Sequence, residues 1–492
     1  MIPVMLSARR LSRRSMLGRV AALLSLAGLG TGVLAACSGT SSATSSACAS
    51  SPSAVPTAAR TGATTVAPSR SASTASARPT PPGSRSIGLR IGSWMGQAPS
   101  QAVYNKELIA PYQQLHPGLT ITVEYSASSN ALDTKMLAET AAGDPPDLIE
   151  IDFYHLQSFA RGQVLMDLDS FVARSGIDQR NYVSAALAQG RYPQNGGKLW
   201  AWGTMLSTDV LFYNKALLRR AGLLDPGDNL DYQTTALALG QKLTNQSTDP
   251  SQASWGLDVL LPPHGAFFLT CLDSFGFQEV SADGTKALVD SPASLAEHQY
   301  LLDLIQKYQV TFPASEWQPL KVKLAPFETN RVALQIGPSS LVSTLQTNPS
   351  LDWDIAWPPK GPAGQYSLLI AAPTHGLSPL SKHQDEAWGF LSWWILNQTP
   401  AQVLFPGNLP SRLVALQQWA KQELQQHPVP ASIGKIVDIA SKLGVPTSVP
   451  PHADQVWAAY VKQGQQVFAG TVGVTDGLRA AAAQINGILA QP

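Results

Sequence analysis

From Ile87 onwards, the apolar positions alternate between the spacing of β-strands and the spacing of α-helices. Residues 87–91 and 119–125 carry apolar side chains at every second position, which predicts two strands. Between them, residues 108–115 place apolar side chains on one face of a helix. Pro117-Gly118 ends this helix, because proline cannot continue it and glycine permits the turn. The pattern predicts a strand, a crossover helix and a second strand.

The same alternation continues along the chain. Residues 132–142 form a helical run that ends at Gly143, residues 147–151 form a strand, and Ser291 precedes a proline in the first turn of another helix. The apolar run 388–396 is too short to cross a bilayer and predicts a buried helix. Helices are predicted over most of the C-terminal part. Further strands are predicted at residues 257–261, 332–336, 353–357 and 367–371. These elements predict an α/β architecture with sheets covered on both faces.

The N-terminus has the pattern of an export signal. A basic stretch containing Arg13 and Arg14 precedes a glycine-interrupted apolar run that makes a poor membrane span. Residues 34–37, Leu-Ala-Ala-Cys, resemble a bacterial lipobox, in which the signal is cut before the cysteine and the thiol is diacylated. We therefore expect a signal peptide over residues 1–36 and a lipid anchor on Cys37, on the outer face of the bacterial cell membrane.

The export route has two readings. Residues 12–17, Ser-Arg-Arg-Ser-Met-Leu, resemble a twin-arginine signal, which would export the protein already folded. Alternatively, Arg13 and Arg14 supply only the positive charge that a general secretory signal needs. Both readings place the protein outside the cytoplasm.

Residues 38–86 are predicted to be a disordered tether. Of these 49 residues, 39 are Ser, Thr, Ala or Pro, a composition that cannot bury enough apolar surface to offset the entropy of ordering. A flexible chain of this length spans roughly 35–42 Å, enough to hold a globular body away from a membrane. Because Cys48 lies in the tether and Cys271 is the lone cysteine of the body, no structural disulfide is predicted.

Length and charge narrow the class of protein. A chain of 492 residues exceeds a single hydrophobic core, so two lobes are expected. Residues 1–86 carry nine arginines and no acidic residue, which leaves 25 basic and 33 acidic side chains in residues 87–492, a net charge of −8. A body of this charge repels a phosphate backbone, which argues against nucleic acid as a partner.

The usual signatures of catalysis are missing from the sequence. There is no Cys-x-x-Cys, His-Glu-x-x-His, phosphate-loop lysine or Gly-x-Ser-x-Gly motif, and the eight histidines are dispersed, so neither a metal nor a cofactor is predicted. The pairs Asp167/Asp169 and Asp352/Asp354 resemble the two acids of a glycosidase. Their two-residue spacing beside apolar residues favours turn capping instead.

Tryptophan is abundant, with twelve in the chain and many near the ends of predicted segments. An indole ring offers a flat apolar face to the C–H face of a pyranose, while its N–H can donate a hydrogen bond. Tryptophan is also a common core residue, so each one has both interpretations. Trp94 and Trp357 follow predicted strands, which is where α/β proteins place ligands.

Four stretches of the sequence occur in a recognisable order. They are Ala-Ala-Gly-Asp-Pro-Pro-Asp-Leu-Ile at 141–149, Gly-Gly-Lys-Leu-Trp-Ala-Trp-Gly at 196–203 with Leu-Phe-Tyr-Asn-Lys at 211–215 and Ala-Gly-Leu at 221–223, the block 327–336 with Arg-Val-Ala-Leu, and Gly-Asn-Leu-Pro-Ser-Arg at 407–412. In this order they resemble the extracellular solute-binding proteins of family 1, the sugar-binding lipoproteins of ATP-binding-cassette (ABC) importers. The resemblance covers about residues 87–490.

The resemblance implies a two-lobed periplasmic-binding-protein-like fold of type II, with a ligand cleft between the lobes. By analogy, one lobe comprises about residues 87–204 and 357–397, and the other about 205–356 and 398–492, both within a solute-binding domain over 87–492. The implied function is to bind a mono- or oligosaccharide and deliver it to the permease transmembrane subunits. A non-enzymatic monomer that needs no cofactor is expected.

Six residues are predicted to contact the ligand. Trp94 is the stacking plate, Asp152 accepts a pair of sugar hydroxyls just past the third strand, and Arg412 donates through its planar fork. Alternatively, Asp152 caps the following helix and Arg412 forms a surface ion pair. The other three predicted contacts are Trp202 at the crossing between lobes, Ser339 after the 332–336 strand, and Asn408, whose alternative role is only to form its turn. Trp357 and His264 complete the predicted set.

The sequence departs from the family at two places that bear on the ligand. Trp200 and Trp202-Gly203 stand where the family often has a tyrosine and a proline, and Gly337–Ser340 stands where a tryptophan often follows. The identity of the sugar therefore cannot be transferred. Two other functions stay open, a polyol phosphate or other non-sugar solute bound by the same fold, and a lipid-anchored glycoside hydrolase.

Overall fold

The computed structural model describes residues 86–192, 196–247, 249, 252–258, 271–311, 326–405, 407–446 and 449–491. The chain separates into two units, Met1–Arg78 and Pro79–Pro492, and every described residue belongs to the second. The predicted signal peptide, Cys37, residues 38–85 of the predicted tether, residues 259–261 of the predicted strand 257–261, and His264 lie outside the described residues. Within the described ranges, no helix is both long and apolar enough to cross a bilayer.

The first sheet has five strands in the order β2-β1-β3-β12-β6. Strands β1 and β2 run parallel in the register Ile87↔Leu119 to Ser93↔Tyr125, β3 adds in parallel, and β12 and β6 add antiparallel. Its strands are β1 (Ile87–Ser93), β2 (Leu119–Tyr125), β3 (Leu148–Ile151), β6 (Trp202–Gly203) and β12 (Thr374–Leu377). The carboxyl ends of β1 and β3 therefore lie side by side at one edge of this sheet.

The second sheet is built around the ten-residue strand β7 (Met205–Asn214), in the order β14-β11-β7-β9-β8. Strands β10 and β13 also pair with β7. The other strands are β8 (Trp255–Asp258), β9 (Val332–Pro338), β10 (Trp353–Ala356), β11 (Leu369–Ala371), β13 (Leu409–Pro410) and β14 (Val445–Pro446). A separate pair, β4 (Arg191–Tyr192) and β5 (Lys198–Leu199), forms a small hairpin.

Helices cover the sheets, and several begin and end where the sequence predicts. Ser128 accepts a hydrogen bond from the Ala131 N–H at the start of one helix, and Gly143 ends it in the left-handed conformation. The main helical segments are Ala98–Val103, Tyr104–Ile109, Ala110–Leu115, Ser129–Ala142, Leu156–Arg161, Asp169–Ser175, Ser184–Gln189, Lys215–Arg220, Tyr232–Ala236, Leu237–Leu243, Pro292–Gln306, Leu341–Leu345, Gln384–Leu396, Leu413–Gln426, Gly434–Asp438, Ile439–Leu443, Ala453–Phe468 and Val474–Leu489.

The described structure confirms the α/β pattern. The strands predicted at 119–125, 353–357 and 367–371 are present within a few residues of their predicted ends. The apolar run 388–396 lies in the helix Gln384–Leu396, whose side chains pack into the core of the first sheet. Among the described cysteines, Cys271 is buried with a free thiol.

Candidate functional site

A cavity of about 490 Å³ lies between segments that belong to the two sheets. One wall follows β3 of the first sheet, and another contains Leu369 of β11 and Pro446 of β14 in the second. Its lining residues are Phe153, Leu156, Gln157, Ala188, Gln189, Arg191, Asp273, Gly276, Phe277, Gln278, Glu279, Val280, Ser281, Ala282, Leu369, Pro446, Val449 and Pro451. Apolar surfaces and a few polar groups thus face one space, as in small-molecule sites.

The first wall forms because the chain turns as soon as β3 ends. Asp152 precedes a short 3₁₀ turn, Phe153–His155, and the His155 N–H donates to the Asp152 carbonyl at 2.9 Å. The helix Leu156–Arg161 follows directly and carries Gln157. This turn positions Gln157 at the cavity, where its side-chain amide nitrogen donates to the Val449 carbonyl oxygen at 2.5 Å.

Two acidic residues, the partly buried Asp273 and the buried Glu279, line a second wall. Glu279 is 8 % exposed, and burial, together with the nearby Asp273 charge, raises its pKa to about 7. Burial also raises the pKa of Asp273, whose carboxylate accepts a hydrogen bond from the Ser367 hydroxyl. This wall is rich in hydrogen-bond acceptors.

Arg191 is the positively charged residue among the described lining residues. Its guanidinium donates to the Gly197 carbonyl at 2.8 Å and to Gln179 Oε1 at 3.1 Å, and it lies 3.5 Å from an Asp169 oxygen. These contacts commit the guanidinium to the neighbouring hairpin. The charge balance of the cavity therefore disfavours an anion.

A close backbone approach fixes the wall next to Arg191. A Cβ atom at Gly190 would lie 1.8 Å from the Ala201 carbonyl oxygen, so only glycine fits. Beside it, Gln189 Oε1 accepts a hydrogen bond from the Ala372 N–H at 2.7 Å. Residues 189–190 of the cavity wall thereby contact Ala201, next to β6 of the first sheet, and Ala372, which lies between β11 of the second sheet and β12 of the first.

Trp94 and Asp152 follow the two neighbouring strand ends β1 and β3. Trp94 is partly buried, and its indole nitrogen is buried with no hydrogen-bond partner. Asp152 is partly exposed and makes no side-chain capping bond to the turn that it precedes. The structure places both residues on the edge of the sheet that continues into the cavity wall.

Trp202 and Ser339 lie in the interior. Trp202 is 0 % exposed, and its ring meets Tyr182 edge-on with centroids 5.0 Å apart. Ser339 is also fully buried, where its hydroxyl accepts from the Thr208 N–H at 3.2 Å. Both side chains join elements of the fold to one another.

The remaining predicted residues within the described ranges are Trp357, Asn408 and Arg412. Trp357 is partly buried, its ring meets Tyr366 edge-on with centroids 5.2 Å apart, and its backbone N–H donates to Asp228 Oδ1 at 3.1 Å. Asn408 closes a turn through its N–H, which donates to the Phe405 carbonyl. Arg412 precedes the helix Leu413–Gln426, and its backbone N–H donates to Gln398 Oε1 at 2.9 Å.

None of the predicted residues within the described ranges lines the 490 Å³ cavity. Sequence reasoning identified the end of β3 at Asp152 but missed Gln157, five residues further on. It also missed Asp273 and Glu279, which come from a stretch without a strong apolar pattern. The signal that could have led to Gln157 is its place in the first turn of a helix directly after a buried strand.

A buried polar network lies beneath Trp94. Glu150 accepts a hydrogen bond from the Ser93 hydroxyl, whose oxygen in turn accepts one from the Met95 N–H at 3.1 Å. Burial raises the pKa of Glu150 to about 8, the nearby Asp152 charge adds to the rise, and the hydrogen bond from Ser93 opposes it. The carboxyl group thereby fixes the backbone that carries Trp94.

A second part of this network reaches the segments that run between the sheets. The two ring nitrogens of His375 lie 3.1 Å from the Tyr104 hydroxyl and 3.0 Å from the Thr204 hydroxyl. Burial lowers the pKa of His375 to about 3, so the ring is neutral and pairs as one donor and one acceptor. It joins the first sheet to the start of β7.

The molecule has two main β-sheets covered by helices, and a cavity lined partly by polar residues lies between segments of the two sheets. This arrangement is typical of proteins that bind a small solute. The sequence profile of the bacterial extracellular solute-binding proteins matches residues 96–399. The chain belongs to this family. An arabinooligosaccharide-binding protein of Bacillus subtilis (strain 168) is 23 % identical over 217 residues, which cover 44 % of this chain and 43 % of that protein.

Solved structures establish the two-lobed fold. An ABC substrate-binding protein of Listeria monocytogenes in complex with cycloalternan superposes with a TM-score of 0.67 at 19 % identity, over 82 % of this chain and 100 % of that one. A cyclic α-maltosyl-1,6-maltose-binding protein of Arthrobacter globiformis also has a TM-score of 0.67 and 19 % identity, over 82 % and 99 % of the chains. At this level of identity the likeness concerns the fold.

Proposed function

We propose that the protein binds a neutral mono- or oligosaccharide between its two lobes and delivers it to an ABC permease, without catalysing a reaction. The observation that carries this proposal is the cavity shared by both sheets, whose lining combines hydrogen-bond acceptors with apolar side chains. Sugar hydroxyls donate hydrogen bonds, and pyranose C–H faces pack on apolar and aromatic surfaces. The family and the sugars named for its structural neighbours support the same reading.

The division into lobes is part of the proposal. We assign residues 87–204 and 357–397 to one lobe and residues 205–356 and 398–492 to the other. The strands of the first sheet all come from the first assignment, whereas β11 (Leu369–Ala371), which also falls within residues 357–397, pairs with β7 in the second sheet. The cavity then lies in the interlobe cleft, and both lobes face the permease.

The proposed ligand contacts combine predicted residues with lining residues. Trp94 offers a stacking plate with an unpartnered indole N–H, and Asp152 precedes the wall formed by Phe153. Trp357, Asn408, Arg412 and His264 stay proposed contacts, whereas we assign Trp202 and Ser339 to supporting the cleft from the interior.

Charge favours a neutral sugar over a polyol phosphate. The described lining holds two acids, and its arginine is bound to the hairpin β4-β5. One member of each carboxylate pair considered for a glycosidase is used in an ion pair, with Asp167 2.8 Å from Lys198 and Asp352 2.6 Å from Arg219. These contacts favour a binding role for the site over hydrolysis.

A thermal-shift series tests the proposed ligand class. We expect glucose, arabinose, maltotriose or mannotriose to raise the melting temperature of residues 87–492, and glucose 6-phosphate to leave it unchanged. A sugar present at about 100 times its Kd adds about 2.7 kcal/mol to the free energy of unfolding. A rise only with the phosphate would contradict the proposal, as would time-dependent release of reducing sugar.

The same thermal-shift series tests whether Trp94 stacks on the bound sugar. We expect Trp94→Ala to weaken binding of the responding sugar about 30-fold, because a desolvated tryptophan contact contributes about 2 kcal/mol. Trp393→Ala is the matched control, since Trp393 is also partly buried but packs on Tyr112 of the helix Ala110–Leu115 and does not follow a strand end of the first sheet. Equal affinity in both variants would remove Trp94 from the site.

We further propose that the protein is exported and held on the membrane by lipid on Cys37, as a monomer. In a bacterial host that processes lipoproteins, we expect the full chain in the membrane fraction and the Cys37→Ala variant among the soluble exported proteins. The reason is that diacylation of the Cys37 thiol supplies the membrane anchor. Cys48→Ala is the control and is expected to stay with the membrane. Membrane retention of the Cys37→Ala variant would contradict lipidation at this residue.

A further inference from the structure

We propose that Gln157 couples ligand binding to closure of the cleft, by holding the Val449 backbone with its amide N–H while its carbonyl oxygen accepts a hydroxyl of the bound ligand. This inference rests on the proposed sugar-binding function. It makes Gln157 the residue that links sugar binding to closure of the cleft. Gln157 follows β3 of the first sheet, and Val449 follows β14 of the second, 292 residues later in the chain.

The contact between Gln157 and Val449 is short and sheltered. The amide nitrogen lies 2.5 Å from the carbonyl oxygen, and the Gln157 side chain is 7 % exposed. Both residues line the cavity, so their hydrogen bond closes part of its wall. Separation of the two segments would break this bond and open that wall to water.

The orientation of the amide follows from its partner. A backbone carbonyl only accepts hydrogen bonds, so the NH₂ group of Gln157 must face Val449. The side-chain oxygen then points away from that contact, and it is buried without a hydrogen-bond partner. Buried acceptors in folded proteins are normally satisfied, which makes this oxygen a vacant position for a donor.

The cavity offers the route for that donor. Phe153, Leu156 and Gln157 line the cavity from the segment that follows β3, and Asp273 and Glu279 line it from a different segment of the chain. A polyhydroxylated ligand can donate to the Gln157 oxygen on one side and to a carboxyl group on the other. The donated bond would polarise the amide and strengthen its N–H bond to Val449, so ligand and closure stabilise each other.

Two variants separate the two atoms of the amide. Gln157→Glu keeps an acceptor but removes the N–H and places an anionic oxygen near the Val449 carbonyl, whereas Gln157→Met keeps the volume and removes both groups. Gln418→Met is the matched control, because Gln418 is exposed on the helix Leu413–Gln426. Circular dichroism establishes that each variant is folded.

Affinity and closure are measured together on maltotriose, mannotriose, glucose and arabinose. We expect Gln157→Met to weaken the responding sugar about 10-fold or more by calorimetry, the loss of one buried hydrogen bond and of the closing contact. By small-angle scattering at saturating sugar, both Gln157 variants are expected to keep a larger radius of gyration than wild type and Gln418→Met. Wild-type affinity and radius in Gln157→Met would overturn the inference, as would weaker binding at an unchanged radius.

Failure of the proposed function has a different signature. If no sugar binds the wild-type protein, the sugar-binding role and the ligand half of the inference fall together. The ligand-free radius then decides the closing contact. If both ligand-free Gln157 variants have a larger radius of gyration than the ligand-free wild type, the result supports a closing role for the contact with Val449. Equal radii of gyration overturn that role.

Discussion

Replacing Trp202 with alanine is expected to lower the free energy of unfolding by about 3–5 kcal/mol, measured by urea denaturation. The indole ring is fully buried in the core of the first sheet and meets Tyr182 edge-on at 5.0 Å. Truncation removes its buried apolar surface and leaves a cavity that rigid neighbours cannot fill. We therefore assign Trp202 a role in stability, in place of the direct ligand contact predicted from the sequence.

Trp202→Phe separates these two roles. Phenylalanine keeps an aromatic ring against Tyr182, and the Trp202 indole nitrogen has no hydrogen-bond partner to lose, so we expect a smaller loss of stability and unchanged sugar affinity. Trp94→Ala is expected to show the opposite pattern, with weak binding and modest destabilisation. If Trp202→Phe were stable but lost sugar binding, Trp202 would belong to the ligand site after all.

Secondary structure was predictable because local pattern and local chemistry agree. Residues 119–125 alternate in the sequence and form β2, and Gly143 adopts the left-handed conformation that ends a helix. Ser291 accepts a hydrogen bond from the Ser294 N–H, as its position before a proline-started helix predicts. Such features depend on neighbours only a few residues away.

The candidate site was less predictable because it depends on contacts that are distant in sequence. The end of β3 at Asp152 could be located, since a buried strand is visible in the sequence. The segment that contacts the end of β3 could not be predicted, because the Gln157–Val449 hydrogen bond joins residues 292 positions apart in the sequence. Trp202 illustrates the same limit, since a two-residue strand does not reveal which of its faces is buried.

Raising the pH from 5 to 8.5 is expected to destabilise the wild-type protein by about 4 kcal/mol more than the Glu150→Gln variant. The pKa of Glu150 is about 8 in the folded protein, against an ordinary value of 4.5. Below about pH 4.5 the carboxyl is protonated in both states. Between pH 4.5 and 8 only the unfolded chain ionises, so stability falls by about 1.4 kcal/mol per pH unit, and above pH 8 the fall stops.

The comparison with Glu150→Gln isolates this carboxyl from the other buried acids. Asp258 and Glu279, with pKa values raised to about 7, lower wild-type stability over the same pH range, but they do so equally in the variant. Glutamine has nearly the same shape and keeps a carbonyl acceptor for the Ser93 hydroxyl, so Trp94 should stay in place and sugar affinity should be retained. Parallel stability curves for the two proteins, measured by urea denaturation across this range, would show that Glu150 ionises normally and that burial does not govern its charge.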